Sequence, residues 1–263
     1  MKIIDSHSHI FPNKIAEKAT NSISDFYQIK MAALAGTTES LLAYGAEAGV
    51  EKYVVCSVAT TAKQVRAINE YILGETLAHS EFLGLITLHP DLSEQELDFE
   101  FDFALKNGFR GIKLHSDFQK FALDDKKTFA IYERAQGVLP ILVHAGDRRY
   151  SFSNPEKIAR VANNFKNLQI VAAHFGGYSE WDKVFVLENC PNVYFDTSSS
   201  LEFLPAKTAS SLILQMGVHR FLFGSDFPMW KHKKELENIM SLGLCERDLQ
   251  AVLSKNAEAV WKI

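Results

Sequence analysis

Apolar positions along the chain fall into short β-rich runs separated by longer stretches with a helical apolar period. The runs cover residues 2–7, 52–58, 82–89, 109–115, 140–144, 169–174, 192–197 and 220–224, each short, rich in Val, Ile, Leu and Phe, and read as a strand. Between them, residues 38–48, 64–78, 94–106, 129–136, 155–165, 181–189 and 206–216 read as amphipathic helices. Local punctuation agrees. Ser93 with Glu96 forms a capping-box pattern, and Asn154-Pro155 places a cap residue before a proline at the first helical position. Gly49, Gly108 and Gly217 stand where helices must stop before the next strand.

Strict alternation of strand and helix implies parallel strands. Eight such units within 263 residues predict a single (β/α)₈ TIM barrel over 1–263 in preference to an open doubly wound sheet. No Gly-x-Gly-x-x-Gly turn follows the first strand, which counts against a dinucleotide fold. The longest departure is 11–36, whose Phe, Tyr, Ile and Met residues predict an insertion with a short extra helix over the barrel mouth; a decorative insertion is the alternative.

Composition narrows the partners. With 47% apolar residues the chain can bury a large core, and its net charge of -4, spread without a Lys/Arg block, argues against nucleic acid or an anionic membrane. No apolar run approaches the ~18 residues of a membrane helix, and polar residues follow Met1 too closely for an apolar leader. Cys56, Cys190 and Cys245 are odd in number and far apart, so neither a disulfide framework nor a cysteine zinc site is expected. These features predict a reduced, cytoplasmic protein with a small-molecule substrate. A homodimer is left open.

In a parallel barrel the C-terminal strand ends form the mouth where sites are built. Here the first strand ends in His7 and His9, the fourth carries Lys113 and His115, the fifth ends in His144, the sixth in His174, and the eighth runs into Gly224-Ser225-Asp226. Alternation puts His7 and His9 on one face about 7 Å apart. It likewise pairs Lys113 with His115, Leu142 with His144, Ala172 with His174 and Gly224 with Asp226. Asp5 shares the His7 face one layer lower and is expected to be buried support. Singly, such residues are satisfied core histidines or a capping aspartate. Together they point to a divalent metal ion, because buried imidazoles and carboxylates are costly unless paired or coordinated.

The segments Asp5-Ser6-His7-Ser8-His9, Gly111-Ile112-Lys113-Leu114-His115, Leu142-Val143-His144-Ala145-Gly146-Asp147, Ala173-His174-Phe175-Gly176-Gly177, Phe223-Gly224-Ser225-Asp226-Phe227-Pro228 and Leu253-Ser254-Lys255-Asn256-Ala257 occur in that order. The set resembles the amidohydrolase superfamily, in particular its amidohydrolase-2 branch, which includes aminocarboxymuconate-semialdehyde decarboxylase. The resemblance implies that His7, His9, His144 and Asp226 hold one divalent ion, zinc or else manganese, with His174 orienting water or substrate. In two-metal members such as dihydroorotases, a lysine at the end of the fourth strand is carboxylated and bridges the ions. Lys113 with His174 is therefore a second-metal candidate, against the one-ion reading in which an unmodified Lys113 holds an anionic substrate.

Further residues are expected at the rim. His115 is a substrate contact or is solvated. Within Asp147-Arg148-Arg149-Tyr150, Arg148 offers a planar fork for a carboxylate. His89, Trp230 and His232 are expected to line the pocket, whereas His79 and His219 fall toward the opposite end of the barrel, where stability is the expected role. The leading expectation is a metal-dependent hydrolase of an amide, ester or lactone in a small organic acid, with Asp226 accepting the proton of water and His174 polarising the carbonyl. Its alternatives are a non-oxidative decarboxylase of a small unsaturated or aromatic acid, and a non-catalytic metal-binding barrel.

Overall fold

Each of the eight β-rich runs forms a strand in the computed structural model, which describes residues 1–263. The strands are β1 (Ile4–His9), β2 (Lys52–Cys56), β3 (Phe82–Thr87), β4 (Gly111–Leu114), β5 (Ile141–Val143), β6 (Ile170–Ala172), β7 (Val193–Asp196) and β8 (Phe221–Leu222). They pair in parallel in the order β1 to β8. The ring is joined where the chain beyond β8 meets β1: Ser6 N donates to Phe223 O (2.8 Å), Asp226 N to His7 O (2.8 Å) and His9 N to Phe227 O (2.7 Å). The protein is a TIM barrel, as the alternation predicts.

The helices are α1 (Asn13–Tyr27), α2 (Thr38–Ala48), α3 (Val65–Ala78), α4 (Glu94–Lys106), α5 (Ser116–Gln119), α6 (Phe129–Ala135), α7 (Pro155–Asn164), α8 (Ala206–Met216), α9 (His232–Met240), α10 (Glu246–Gln250) and α11 (Asn256–Trp261). The Ser93 capping box and the Asn154 cap form as read from the sequence. Residues 181–187 wind as a 3₁₀ helix where an α-helix was expected. Residues 11–36 contribute α1, fifteen residues long, which lies over the mouth.

Strand side chains divide between two cores, as they must when both faces of a parallel sheet are covered. Ile4, Val54, Leu85, Leu142, Val171 and Leu222 form one cluster with Val260 and Trp261. Strands on opposite sides of the ring meet only inside it, so this is the barrel interior. Trp261 of α11 plugs it at the strand starts and donates through Nε1 to Ser6 Oγ (3.3 Å). Tyr53, Val55, Ile86, Ile112, Val143 and Ala172 face outward into the helical layer.

Two departures from simple alternation shape the mouth. In β1, Asp5 pairs with Tyr53 but Ser8 with Val55, so one extra residue is bulged between them. Asp5 therefore joins the outward face with Tyr53, and the expectation that it shares the His7 face is corrected. In β6, Val171 and Ala173 point inward and Ala172 outward. The expected pairing of Ala172 with His174 is thus also corrected: alternation would turn His174 out of the barrel. It enters the mouth because the strand ends at Ala172 and the backbone reverses through positive φ at His174 (60°) and Phe175 (56°).

At the opposite end of the barrel Arg220 is buried and donates to five carbonyls: Val193 O (2.7 Å), Leu187 O (2.9 Å), Cys190 O (2.9 Å), Glu188 O (3.2 Å) and Met216 O (3.2 Å). It ties the starts of β7 and β8 to the connections before them. Arg220→Ala removes all five bonds, although Leu187 O and Cys190 O still accept from Cys190 N and Val193 N, and is expected to lower stability by about 3 kcal/mol or more. A shift of the urea midpoint with unchanged metal uptake is the expected measurement, since the residue is far from the mouth.

Candidate active site

Three side chains converge at the mouth. His7 Nε2 lies 3.1 Å from His9 Nε2, and Asp226 Oδ1 stands 3.5 Å from the first and 3.4 Å from the second. Ligand atoms each ~2.1 Å from one ion, at angles between octahedral and tetrahedral, stand roughly 3.0–3.4 Å apart. The spacing and the mixed nitrogen and oxygen donors therefore fit a first-row divalent ion. All three residues are buried, and an uncompensated cluster of this kind is costly.

Hydrogen bonding fixes which nitrogens are free. His7 Nδ1 lies 2.9 Å from Asp196 Oδ2, so it carries the ring proton and leaves Nε2 as a lone pair toward the triad. Burial first, then the charge of Lys113, pushes His7 below its ordinary pKa and keeps it neutral. Burial opposes charge on Asp196, but His7 and the Ser198 hydroxyl hold its carboxyl well below the usual range. Ser198 Oγ donates to Asp196 Oδ1 (2.5 Å), so His174 Nδ1, 3.0 Å from Ser198 Oγ, must itself be a donor. Burial lowers the His174 pKa to about 3, and its Nε2 is left as an acceptor facing His144 Nδ1 at 3.1 Å.

His144 is not brought into the triad. Its Nδ1 meets His174 and its Nε2 points at Asp117 Oδ2, 3.2 Å away and out of hydrogen-bond alignment. The structure thus places His144 beside His174, with Asp117 and Asp147 within 4.8 Å, and not beside His7, His9 and Asp226 as expected from the sequence, whereas His174 also lies within 4.8 Å of His7 and Asp196. Lys113 is fully buried, and its Nζ donates to His7 Nε2 at 2.8 Å, so an entering ion must displace that bond from the single Nε2 lone pair. Burial pushes its ammonium below the usual lysine range against the pull of Cys56, Asp226 and Asp196.

Above the triad opens a cavity of about 780 Å³. Its walls come from α1, from the chain entering α3 and from the strand ends, including Lys113, His115 and His174. Tyr27 of α1 reaches down to His115, Oη to Nε2 at 3.0 Å. His115 Nδ1 accepts from Phe118 N (3.4 Å), so its Nε2–H donates to Tyr27 and the phenol proton stays free for another acceptor.

Four expected rim contacts lie elsewhere. Arg148 bonds Asp182 and the Ser179 carbonyl and borders a separate hollow beside Trp181 and Leu204; a carboxylate of its own chain has taken its fork. Trp230 turns from the cavity and donates through Nε1 to Ser199 Oγ (2.8 Å), which donates to Asp226 Oδ2 (2.5 Å). His232 opens α9 and is buried against Asp5 Oδ2 (2.9 Å), and His89 Nδ1 accepts from Asp91 N. The sequence reading passed over Asp196, although it is the one acidic residue of β7 and stands at that strand's C-terminal end. It also passed over Asp117, Ser199 and Tyr27, which no spacing rule singles out.

The sequence profile of the amidohydrolase family matches residues 4–263. No curated protein matches the sequence. Among solved structures, an uncharacterised TIM-barrel protein of Bordetella bronchiseptica superposes with a TM-score of 0.80 at 20% identity, covering 99% of this chain and 98% of that one. A 5-carboxyvanillate decarboxylase of Novosphingobium aromaticivorans, complexed with manganese and 4-hydroxy-3-methoxy-5-nitrobenzoic acid, gives 0.80 at 14% identity (100% and 96% covered). A dihydroxybenzoic acid decarboxylase of a Polaromonas species, with manganese and 2-nitroresorcinol, gives 0.74 at 17% (99% and 97%).

Two predictions follow from this geometry. Asp196→Asn removes the group that fixes the His7 tautomer and is expected to weaken metal affinity 10-fold to 100-fold, roughly the cost of losing such a partner, read by competition with a chelator. Burial opposes charge on His9, but the Cys56 sulfur and the Asp226 carboxylate raise its pKa to about 9 in the ion-free protein. Below that pH an entering ion must displace the His9 proton. Apparent affinity should therefore fall about tenfold per unit as pH drops from 9 toward 7, measured by metal titration in buffers of matched ionic strength.

Proposed function

The chain belongs to the amidohydrolase family, and from that premise we propose that it is a metal-dependent enzyme that removes the carboxylate of an organic acid as CO₂ without an oxidant. The observation that carries this reading is the setting of the triad: its donors open into a cavity with much apolar wall, beside a buried lysine. A carboxylate drawn from water into such a cavity loses solvation that neutral CO₂ does not need, and the charge left behind meets fixed cationic groups. Decarboxylases with bound manganese among the similar folds lend support.

His7, His9 and Asp226 would hold the ion, manganese or zinc, both compatible with imidazole and carboxylate donors. When bound, the ion supplies a Lewis acid that draws negative charge onto oxygen. Lys113 holds the anionic end of the substrate, and His115 with Tyr27 presents a hydroxyl proton to it. The bond from carbon to the carboxylate breaks with its electron pair left on carbon, and a proton moves to that carbon from Asp226 Oδ1, which first takes it from the substrate or from water. Ser199, steadied by Trp230, keeps Asp226 Oδ2 occupied and Oδ1 turned to the site.

Hydrolysis is the second reading. It is favoured by the same oxygen, because a carboxylate standing within 3.5 Å of both imidazole nitrogens is placed to take a proton from water and pass it to a leaving group. A second ion would require His144 and His174 to give up the 3.1 Å hydrogen bond between them and Lys113 to be carboxylated.

Asp226→Asn is expected to keep its ion and lose 10²-fold to 10⁴-fold in kcat, roughly the worth of one positioned acid-base group. Near-normal turnover by the metal-loaded variant would refute the role. Stoichiometric CO₂ from a panel of hydroxybenzoates and unsaturated acids supports the decarboxylase; cleavage of amides, esters or lactones without CO₂ supports the hydrolase instead. His7→Ala should abolish ion uptake, whereas His144→Ala should retain one ion per chain by elemental analysis.

A further inference from the structure

The mouth is roofed by a helix that turns apolar side chains toward empty space. Ile15, Ala19, Ile23 and Tyr27 recur every four residues along α1 and all border the cavity, forming with Phe26 a largely apolar stripe that Ser22 and Lys18 interrupt. The stripe is about 18 Å long at the rise of an α-helix. Its neighbours Ala16 and Thr20 are the residues α1 buries, and Thr20 Oγ1 accepts from Gly36 N (2.9 Å) to hold the helix down. The helix is thus anchored by one face and presents another, with Ile15 51% exposed. The facing wall offers an apolar patch of Ala67, Ile68 and Tyr71 on the first turns of α3, bordered by the polar Thr60, Lys63 and Gln64.

Size separates two kinds of ligand. A dry cavity of about 150 Å³ suffices for benzene, whereas this one has about 780 Å³. A single-ring acid anchored at the triad would leave the stripe and the α3 wall wet. We propose that the substrate is an acid with an extended apolar body, its head at His7, His9, Asp226 and Lys113 and its body lying beneath α1 and out between α1 and α3. This inference rests on the metal-dependent reading above and specifies what that site accepts.

The probe is a series of straight-chain hydroxamates, from acetohydroxamate to dodecanohydroxamate, titrated by calorimetry into manganese-loaded protein. Each added methylene is expected to tighten binding about two- to fourfold over the middle of the series, following the gain from burying a methylene. Ile23→Asn and, separately, Ile68→Asn should flatten that dependence while leaving acetohydroxamate affinity unchanged. Affinity that does not rise with chain length in the unmodified protein overturns the inference and leaves the metal reading standing. Absence of binding at every length by protein that retains its ion overturns the head-group assignment and the inference with it. A length dependence that survives both substitutions also overturns it, because the body then lies elsewhere.

Discussion

The arrangement of the mouth depends on how one buried carboxylate is satisfied. Asp5 Oδ1 accepts from His7 N (3.0 Å) and Ser225 N (2.9 Å), while Oδ2 accepts from Ser8 Oγ (2.5 Å) and Ser225 Oγ (2.6 Å) and meets His232 Nε2 (2.9 Å). Those donors come from the strand that carries two ligand candidates, from the turn that carries the third, and from the helix that follows. Burial opposes its charge, yet the His232 ring and the two hydroxyls keep its pKa below the ordinary carboxylate value. A charge this deep is tolerated only when its lone pairs are filled, so the first strand and the turn after the eighth are held in one relative position. The spacing of His7, His9 and Asp226 is a consequence of that constraint.

What could be read from the chain, and what could not, divides along the range of the forces involved. The eight strands and most helices follow from local periodicity and caps, and they were legible because each depends on a few neighbouring residues. Lys113 and His144 enter the mouth by the same two-residue alternation, while Asp226 lies beyond β8 with a left-handed backbone (φ 56°). His174 enters despite that alternation, through two left-handed residues that no apolar pattern announces. Arg148 carries the right group for a carboxylate, but Asp182, thirty-four positions away, claims it. Asp196 was visible at a strand end; its meaning was not, because that lies in His7, its partner two strands further round the ring.

Architecture and chemistry are set by different residues here, as is common for barrels. Trp261, Arg220 and the inward aliphatics make the ring and its closed lower end. The candidate site is left to a few strand ends and to α1. Tyr27 illustrates the division: it belongs to a segment the barrel does not need, yet it contacts His115 at the centre of the mouth. Family membership accordingly fixes the frame more firmly than the bond that is broken.

The extra residue in β1 divides that strand into two stretches with separate bookkeeping of inside and outside. Before it, Ile4 faces the interior and Asp5 the helical layer; after it, Ser8 faces the helical layer and His9 the interior, although one residue more than the ladder requires lies between. Ser6 and His7 both turn inward, one toward Trp261 below and the other toward Lys113 and the mouth above. Removing a single residue at this point would restore an unbroken ladder and force those two inward tasks onto one side chain. The bulge is therefore what lets a six-residue strand serve the floor of the barrel and its mouth at once, and it makes length at this position as restrictive as identity.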